Sequence, residues 1–249
     1  MMAQDLRLAL DPAAFAAERL GFRPDPWQHQ VLGWSGKRLL LNCSRQSGKS
    51  TTTAILALHR AIFHHGSLIL LVSPSIRQSG ELFRKVVDFN ALLGGPRPAE
   101  SNKLSMTIAN GSRIVSLPSS EATVRGFSGA ALIIEDEASR VPDDLYRAMR
   151  PMLAVSGGRL FLMSTPFGKR GHFFDEWTQG QGWERVTVKA EQCPRISSEF
   201  LEEERRSIGD WWFRQEYCCE FVETTDSVFT YDMIAASMTD EVEPLFRVV

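Results

Sequence analysis

Eight consecutive residues, Ser44-Arg45-Gln46-Ser47-Gly48-Lys49-Ser50-Thr51, put a flexible backbone, two cations and several hydroxyls into one short segment. Successive backbone N–H groups that run into a helix N-terminus surround phosphate oxygens. Lys49 then reaches the outer phosphates, and the Ser50 hydroxyl is a ligand for Mg²⁺. Gly-Lys-Ser/Thr alone arises by chance in roughly one chain of this length in ten, so its surroundings must decide. About 85 residues downstream, Leu132-Ile133-Ile134 runs into three consecutive acids, Glu135-Asp136-Glu137. A carboxylate at the end of a buried strand holds a metal ion, and the next one orients and deprotonates a water. Asp136 is assigned to the metal and Glu137 to the water, with a register shifted by one, through Glu135, left open. A hydroxyl pair, Ser164-Thr165, closes the next apolar run, one strand after the acids. Upstream, Pro26-Trp27-Gln28 offers an amide with both the donor and the acceptor that an adenine edge requires.

These groups need strands that end together and helices that begin beside them. The run 38–43 is short and apolar, as in a buried parallel strand, and the residues from 49 to about 64 read as a helix. A second such strand at 67–73 is followed by an amphipathic helix from about 78 to 93. Strand and helix alternate, which is the α/β rhythm. Segments 104–109 and 112–117 flank Asn110-Gly111 and predict a hairpin with a primed turn. Further buried strands are expected at 131–135 and 159–163, another at 183–189, and helices at 198–207 and 211–219. Shorter helices are expected at 12–21 and 27–34, no element is read before residue 12, and after 226 the pattern weakens to one short strand start at 245–249. A strand, this loop and a helix in succession resemble a P-loop, with Cys43 standing where the usual first glycine would be. The acid-ended run resembles a Walker B strand.

Composition excludes several alternatives. The chain has 249 residues, enough to bury a substantial core, with 28 Lys+Arg against 30 Asp+Glu and a net charge of -2. No bulk positive field for nucleic acid exists, which leaves a local basic face as the route to such a partner. The longest apolar run is far short of the ~20 residues that span a bilayer, so no membrane partner is expected. The N-terminal residues lack the pattern of a secretory signal, and a reducing cytoplasm is the default. Cys43, Cys193, Cys218 and Cys219 contain no C-x-x-C, suit neither a disulfide framework nor a zinc site, and are expected to be buried thiols.

Taken together, Cys43 to Thr51 with an arginine inside the loop, Asp136-Glu137-Ala138, Ser164-Thr165-Pro166 and the closing Phe213-Arg214-Gln215-Glu216-Tyr217-Cys218-Cys219-Glu220-Phe221 resemble the large terminase subunit of tailed bacteriophages. The resemblance spans about residues 24 to 221, and in that family a Cys-Ser-Arg-Gln start is a usual variant. It implies an α/β P-loop NTPase of the ASCE, RecA-like kind, with a mostly parallel central sheet and a small C-terminal lid. The expected division is an ATPase core at 1–190, a lid at 191–222, and 223–249 as a linker toward an RNase H-like nuclease, for which those residues are too few. ATP and Mg²⁺ are the implied ligands. Hydrolysis would drive double-stranded DNA into a procapsid through the portal protein, alongside the small terminase subunit. The working form would be a homo-oligomeric ring, expected to be a pentamer, in the bacterial host cytoplasm and transiently at the portal. Arg45 would contact the γ-phosphate or link to Glu137, and Arg125 would be an arginine finger reaching a neighbouring subunit's ATP. Arg77, Arg84, Lys85, Arg97, Lys103, Arg113, Lys169 and Arg170 are candidate contacts to DNA phosphates. Two competing readings are a superfamily 2 helicase-like ATPase and a non-hydrolysing ATP-binding assembly module. The first would need a second RecA-like domain, and the second has no use for Glu137.

Overall fold

A computed structural model describes residues 2–94, 100–101, 104–118, 126–223 and 231–237. Three short helices come first: α1 (Met2–Leu10), α2 (Pro12–Arg19) and α3 (Pro26–Gly33). Asp11 caps α2 by accepting from the N–H groups of Ala13 and Ala14 at 3.0 and 2.9 Å, and Pro12 supplies a first-turn residue that lacks the unneeded donor. The chain then alternates: β1 (Arg38–Cys43), α4 (Lys49–Phe63), β2 (Leu68–Ser73), α5 (Ile76–Leu92), β3 (Glu100–Ser101), β4 (Ser105–Thr107), β5 (Arg113–Pro118) and β6 (Ala130–Asp136). After these come α6 (Asp143–Met149), β7 (Arg159–Ser164), α7 (Gly171–Thr178), β8 (Glu184–Val188), α8 (Ser198–Ile208), α9 (Asp210–Glu216) and α10 (Tyr231–Ser237).

The strands form one sheet in the order β3-β4-β5-β2-β6-β7-β1-β8. Every pair from β5 to β8 is parallel, and β3 and β4 add an antiparallel edge. Because side chains alternate across a strand, each apolar run feeds two cores. Leu39, Leu41, Ile69, Leu71, Ile134, Phe161 and Met163 pack on one face with α1 to α5. Leu40, Leu70, Val72, Ile133, Leu160 and Leu162 pack on the other, with Leu145, Met149 and Phe173 from α6 and α7. A third, smaller cluster of Ala190, Phe213 and Tyr217, joined by Leu201 and Ile208, holds α8 and α9 together. Gly209, at φ +80°, makes the bend between those two helices.

Four expectations are corrected. Asn110 keeps a negative φ, so the hairpin turn is not of the primed type: Gly111 alone is left-handed, and the pair Gly111 N to Ile108 O (3.0 Å) and Ile108 N to Ser112 O (2.9 Å) closes a bulged turn instead. Asn110 turns its amide to the carbonyls of Ala61 and Ile62, at 2.8 and 2.9 Å, and so fastens the turn to the end of α4. A helix precedes residue 12, anchored by buried Leu8, whose carbonyl lies 2.9 Å from His59 Nε2. Another, α10, follows residue 226 and sets the Tyr231 ring edge-on against Phe174 on α7. Cys43, Cys193 and Cys219 are buried free thiols, whereas Cys218 is only half-buried.

Candidate active site

The loop after β1 is fixed from both sides. Ser44 N donates to Val188 O on β8 at 2.9 Å, and Arg45 N donates to Glu216 O at the end of α9 at 3.0 Å. Gln46 then adopts a left-handed conformation (φ 59°), and so does Gly48 (φ +96°) as the residue before α4. The left-handed φ favours glycine at this position, where Gln28 Nε2 lies close by. Ser44 and Ser47 are buried beneath this turn, and Lys49, Ser50 and Thr51 form the first turn of α4. The loop therefore presents backbone donors at a helix N-terminus.

Lys49 is buried, and its Nζ lies 2.9 Å from Glu137 Oε1 and 3.4 Å from Thr165 Oγ1. Burial lowers its pKa, but the carboxylates of Glu137 and Asp136 outweigh that and leave it raised. Ser50 Oγ donates to Asp136 Oδ2 at 3.1 Å, and Asp136 Oδ1 accepts from Glu137 N at 2.9 Å. Burial pushes Asp136 up to about 6, against the pull of Lys49 and the hydrogen bond from Ser50. Glu137 leaves the strand in a left-handed conformation (φ 54°), an uncommon state for a residue with a side chain. That turn keeps Glu137 on the same side as Asp136. Glu135 points to the opposite face, where His172 Nε2 lies 2.7 Å from its Oε1.

Ser139, in the short turn after Glu137, approaches Ser164 Oγ at 2.6 Å and donates to Thr165 O at 2.8 Å. The acids and the hydroxyl pair are thus joined through one side chain. Lys49, Glu137, Thr165, Gln46, Arg45 and Arg140 line a cavity of about 490 Å³ above the strand ends. A parallel sheet offers its ligand crevice at this location.

Two of the assigned side chains have protein partners of their own. Arg45 Nε donates to Glu216 Oε2, and Lys49 is the cation in contact with the Glu137 carboxylate. The Gln28 carbonyl accepts from Asp25 N at 2.8 Å, capping α3, and its amide nitrogen lies beside Gly48. Trp27 belongs to the apolar core. Arg125, Arg97, Lys103 and the strand start expected at 245–249 lie outside the described residues. Among the other basic candidates, Arg84 pairs with Glu81 and Lys169 with Glu223.

Residues not singled out in the sequence also converge here. Glu216 holds Arg45, Arg140 lines the cavity with its guanidinium 3.9 Å over the Phe167 ring, and Arg195 bridges Asp25 (2.8 Å) and Ser47 O (3.0 Å). Arg195 and Glu216 come from more than 140 residues away in sequence, where no local spacing signals the contact. Arg140 is brought to the cavity by the short turn that follows Glu137.

A phosphate loop ahead of α4 beside an acid-ended β6, in this strand order, is the fold of a P-loop NTPase. The chain belongs to the family Terminase large subunit, T4likevirus-type, N-terminal, which matches residues 40–236. It is 28% identical to the terminase large subunit of Thermus virus P23-45, in a match over 258 residues that takes in 89% of this chain and 53% of that protein. The chain therefore spans about half the length of the curated relatives it matches. In structure it resembles a mutant ATPase domain of the Thermus phage P74-26 large terminase, with a TM-score of 0.76 at 24% identity, covering 86% of this chain and 100% of that one. It also resembles the large terminase of a thermophilic bacteriophage in complex with ATP-γ-S, with a TM-score of 0.61 at 13% identity, covering 86% of this chain and 52% of that one.

Proposed function

We propose that this chain binds ATP with Mg²⁺ and hydrolyses it, as the ATPase part of a motor that moves double-stranded DNA into a procapsid. One observation carries the reading: Lys49 and Glu137 pair at 2.9 Å in the lining of a single cavity, and the residues next to them, Ser50 and Asp136, meet at 3.1 Å. Lys49 neutralises phosphate charge, the loop from Ser44 to Thr51 cradles the phosphates, and Glu137 orients and deprotonates the attacking water. In the resting arrangement Lys49 masks Glu137, and an arriving polyphosphate competes for the ammonium and frees the carboxylate.

The donor set suits Mg²⁺. Ser50 and Asp136 offer a hydroxyl and a buried carboxylate, hard oxygen donors of the kind Mg²⁺ takes alongside water and phosphate oxygens. When bound, that ion would neutralise charge developing on the phosphates.

Ser164 and Thr165 report loss of the terminal phosphate, through Ser139 and the 3.4 Å approach of Lys49. Residues 191–222 act as a lid whose Glu216 engages Arg45 in the phosphate loop. Arg125 serves a neighbouring subunit in a ring, expected to be a pentamer, and Trp27 and Gln28 flank the adenine side. The portal protein, the small terminase subunit and a procapsid in the bacterial cytoplasm complete the setting. No helix of the described residues is long and apolar enough to cross a membrane.

The test is ATP hydrolysis by this chain with and without double-stranded DNA and portal-bearing procapsids. Turnover that rises with both supports the motor. Turnover stimulated equally by DNA alone favours a helicase-like enzyme, and ATP binding without turnover under any condition removes the reading.

A further inference from the structure

On the face of β6 that turns away from the cavity lies a second set of charged side chains, which the proposed chemistry does not use. His172, the second residue of α7, is 5% exposed, with a carboxylate at each ring nitrogen. Nε2 is 2.7 Å from Glu135 Oε1, and Nδ1 is 3.0 Å from Asp143 Oδ1, which also accepts from His172 N at 2.8 Å. The ring stacks on Tyr146 with centroids 4.4 Å apart and planes at 9°. Tyr146 is itself fixed, its hydroxyl donating to Glu176 Oε1 at 2.6 Å. The surrounding charged groups are Asp143 and Arg147 on α6, Arg150 just beyond it, Asp175 and Glu176 on α7, and Glu135 on β6.

A ring with a carboxylate oxygen at both nitrogens donates from both. Glu135 is 0% exposed, and a carboxylate so deep must be paired. Alternation along the strand makes this pairing matter for the neighbouring site. Glu135 directly precedes Asp136, so fixing Glu135 on one face fixes Asp136 on the other and sets where Glu137 begins its turn. His172 also stands at the start of the helix that follows Ser164-Thr165, so it ties that loop's exit to the acid-ended strand.

We infer that His172 is a positioning residue for ATP hydrolysis: its Nε2–H bond to Glu135 holds the end of β6 so that Asp136 and Glu137 face the phosphate cavity. The inference rests on the hydrolase reading above. A misplacement of reacting groups by about an ångström lowers turnover by ~10- to 100-fold, and loss of an outer partner of a working ligand has a comparable effect.

Two isosteric substitutions separate positioning from packing. The terminal amide nitrogen of glutamine reproduces Nε2, and that of asparagine reproduces Nδ1. His172→Gln keeps the donor to Glu135, whereas His172→Asn keeps only the one to Asp143. The expected result is kcat within about threefold of the parent for His172→Gln and at least ~10-fold lower for His172→Asn, with KM for Mg-ATP changed less than about twofold in both. Equal kcat values in the two variants, or a loss carried by KM, would overturn the inference. The parent and Glu137→Gln run alongside keep the two readings apart, since absence of turnover in the parent removes the hydrolase reading itself and undiminished turnover in Glu137→Gln removes only the role given to Glu137. The unaltered chain gives a second measurement if His172→Asn does not fold. The His172 ring N–H proton, identified by its absence from His172→Gln, should give a downfield resonance that moves when Mg²⁺ and a non-hydrolysable ATP analogue are added. A resonance indifferent to nucleotide counts against the inference.

Discussion

Lys49 and Glu137 form an ion pair in a site built to receive a polyanion, and their contributions separate by reaction stage. The ammonium stabilises the bound phosphates, whereas the carboxylate acts on water as the barrier is crossed. Lys49→Ala is expected to weaken ATP binding by at least ~10-fold, and Glu137→Gln to leave binding near the parent value while lowering kcat by ~10²- to 10⁴-fold. Titration with a fluorescent ATP analogue and steady-state turnover read the two effects. Hydrolysis at the parent rate by Glu137→Gln would take the water-activating role from Glu137, and Glu135, turned to His172 on the opposite face, is not placed to inherit it. The Arg45–Glu216 pair permits a similar separation. Arg45 is 60% exposed, so the pair contributes only ~0–1 kcal/mol to stability. Arg45→Ala should therefore leave Tm within a few degrees while lowering turnover ~10-fold or more. A large fall in Tm with unchanged turnover would make the pair a structural link alone.

At the scale of elements, β6 bears three separate demands: Ile133 and Ile134 fill opposite cores, Glu135 meets α7, and Asp136 meets α4. The His172 clamp gives this strand a pH dependence whose sign is fixed. Burial lowers the His172 pKa, but Glu135 and Asp143 more than offset it, so the folded-state value lies above the ordinary 6.5. A raised histidine pKa means stabilisation that is complete below the unfolded value and lost as pH rises through the folded one. The Tm difference between the parent and His172→Gln should be largest near about pH 6 and shrink toward about pH 9. A difference that grows with pH would mean the imidazole is held neutral.

At the scale of the whole molecule, the phosphate cavity is lined from the loop after β1, the turn after β6, the end of β7 and α9. Closure therefore engages the core and the α8–α9 unit together. If Arg125 completes a neighbour's site, dilute subunits lack one cation and hydrolyse slowly even at saturating ATP. Specific activity should rise with protein concentration, and mixing Arg125→Ala with Glu137→Gln subunits should restore turnover that neither shows alone. Concentration-independent activity with no complementation would assign the finger to the same subunit and turn attention to Arg45 or Arg140.

The order of strands and helices was legible because buried parallel strands are short apolar runs and the helices between them carry their own caps and stops. The phosphate loop was legible for a related reason: it is local, and its glycine, lysine and serine lie within three residues. The choice among three adjacent acids was not. Only the packed sheet turns Glu135 toward His172 and Asp136 toward Ser50, because the face each residue occupies depends on which helix covers it. The primed turn expected at Asn110-Gly111 failed likewise, since the amide of Asn110 found carbonyls on α4 that no local rule could supply. Arg45 was visible as a cation in the loop, but its partner Glu216 lies 171 residues away. Contacts over that separation are made by the tertiary fold, which brings distant side chains to one crevice through burial they cannot achieve locally. Sequence thus determined the chemistry available at the strand ends, and the folded sheet decided which carboxylate faces which cation.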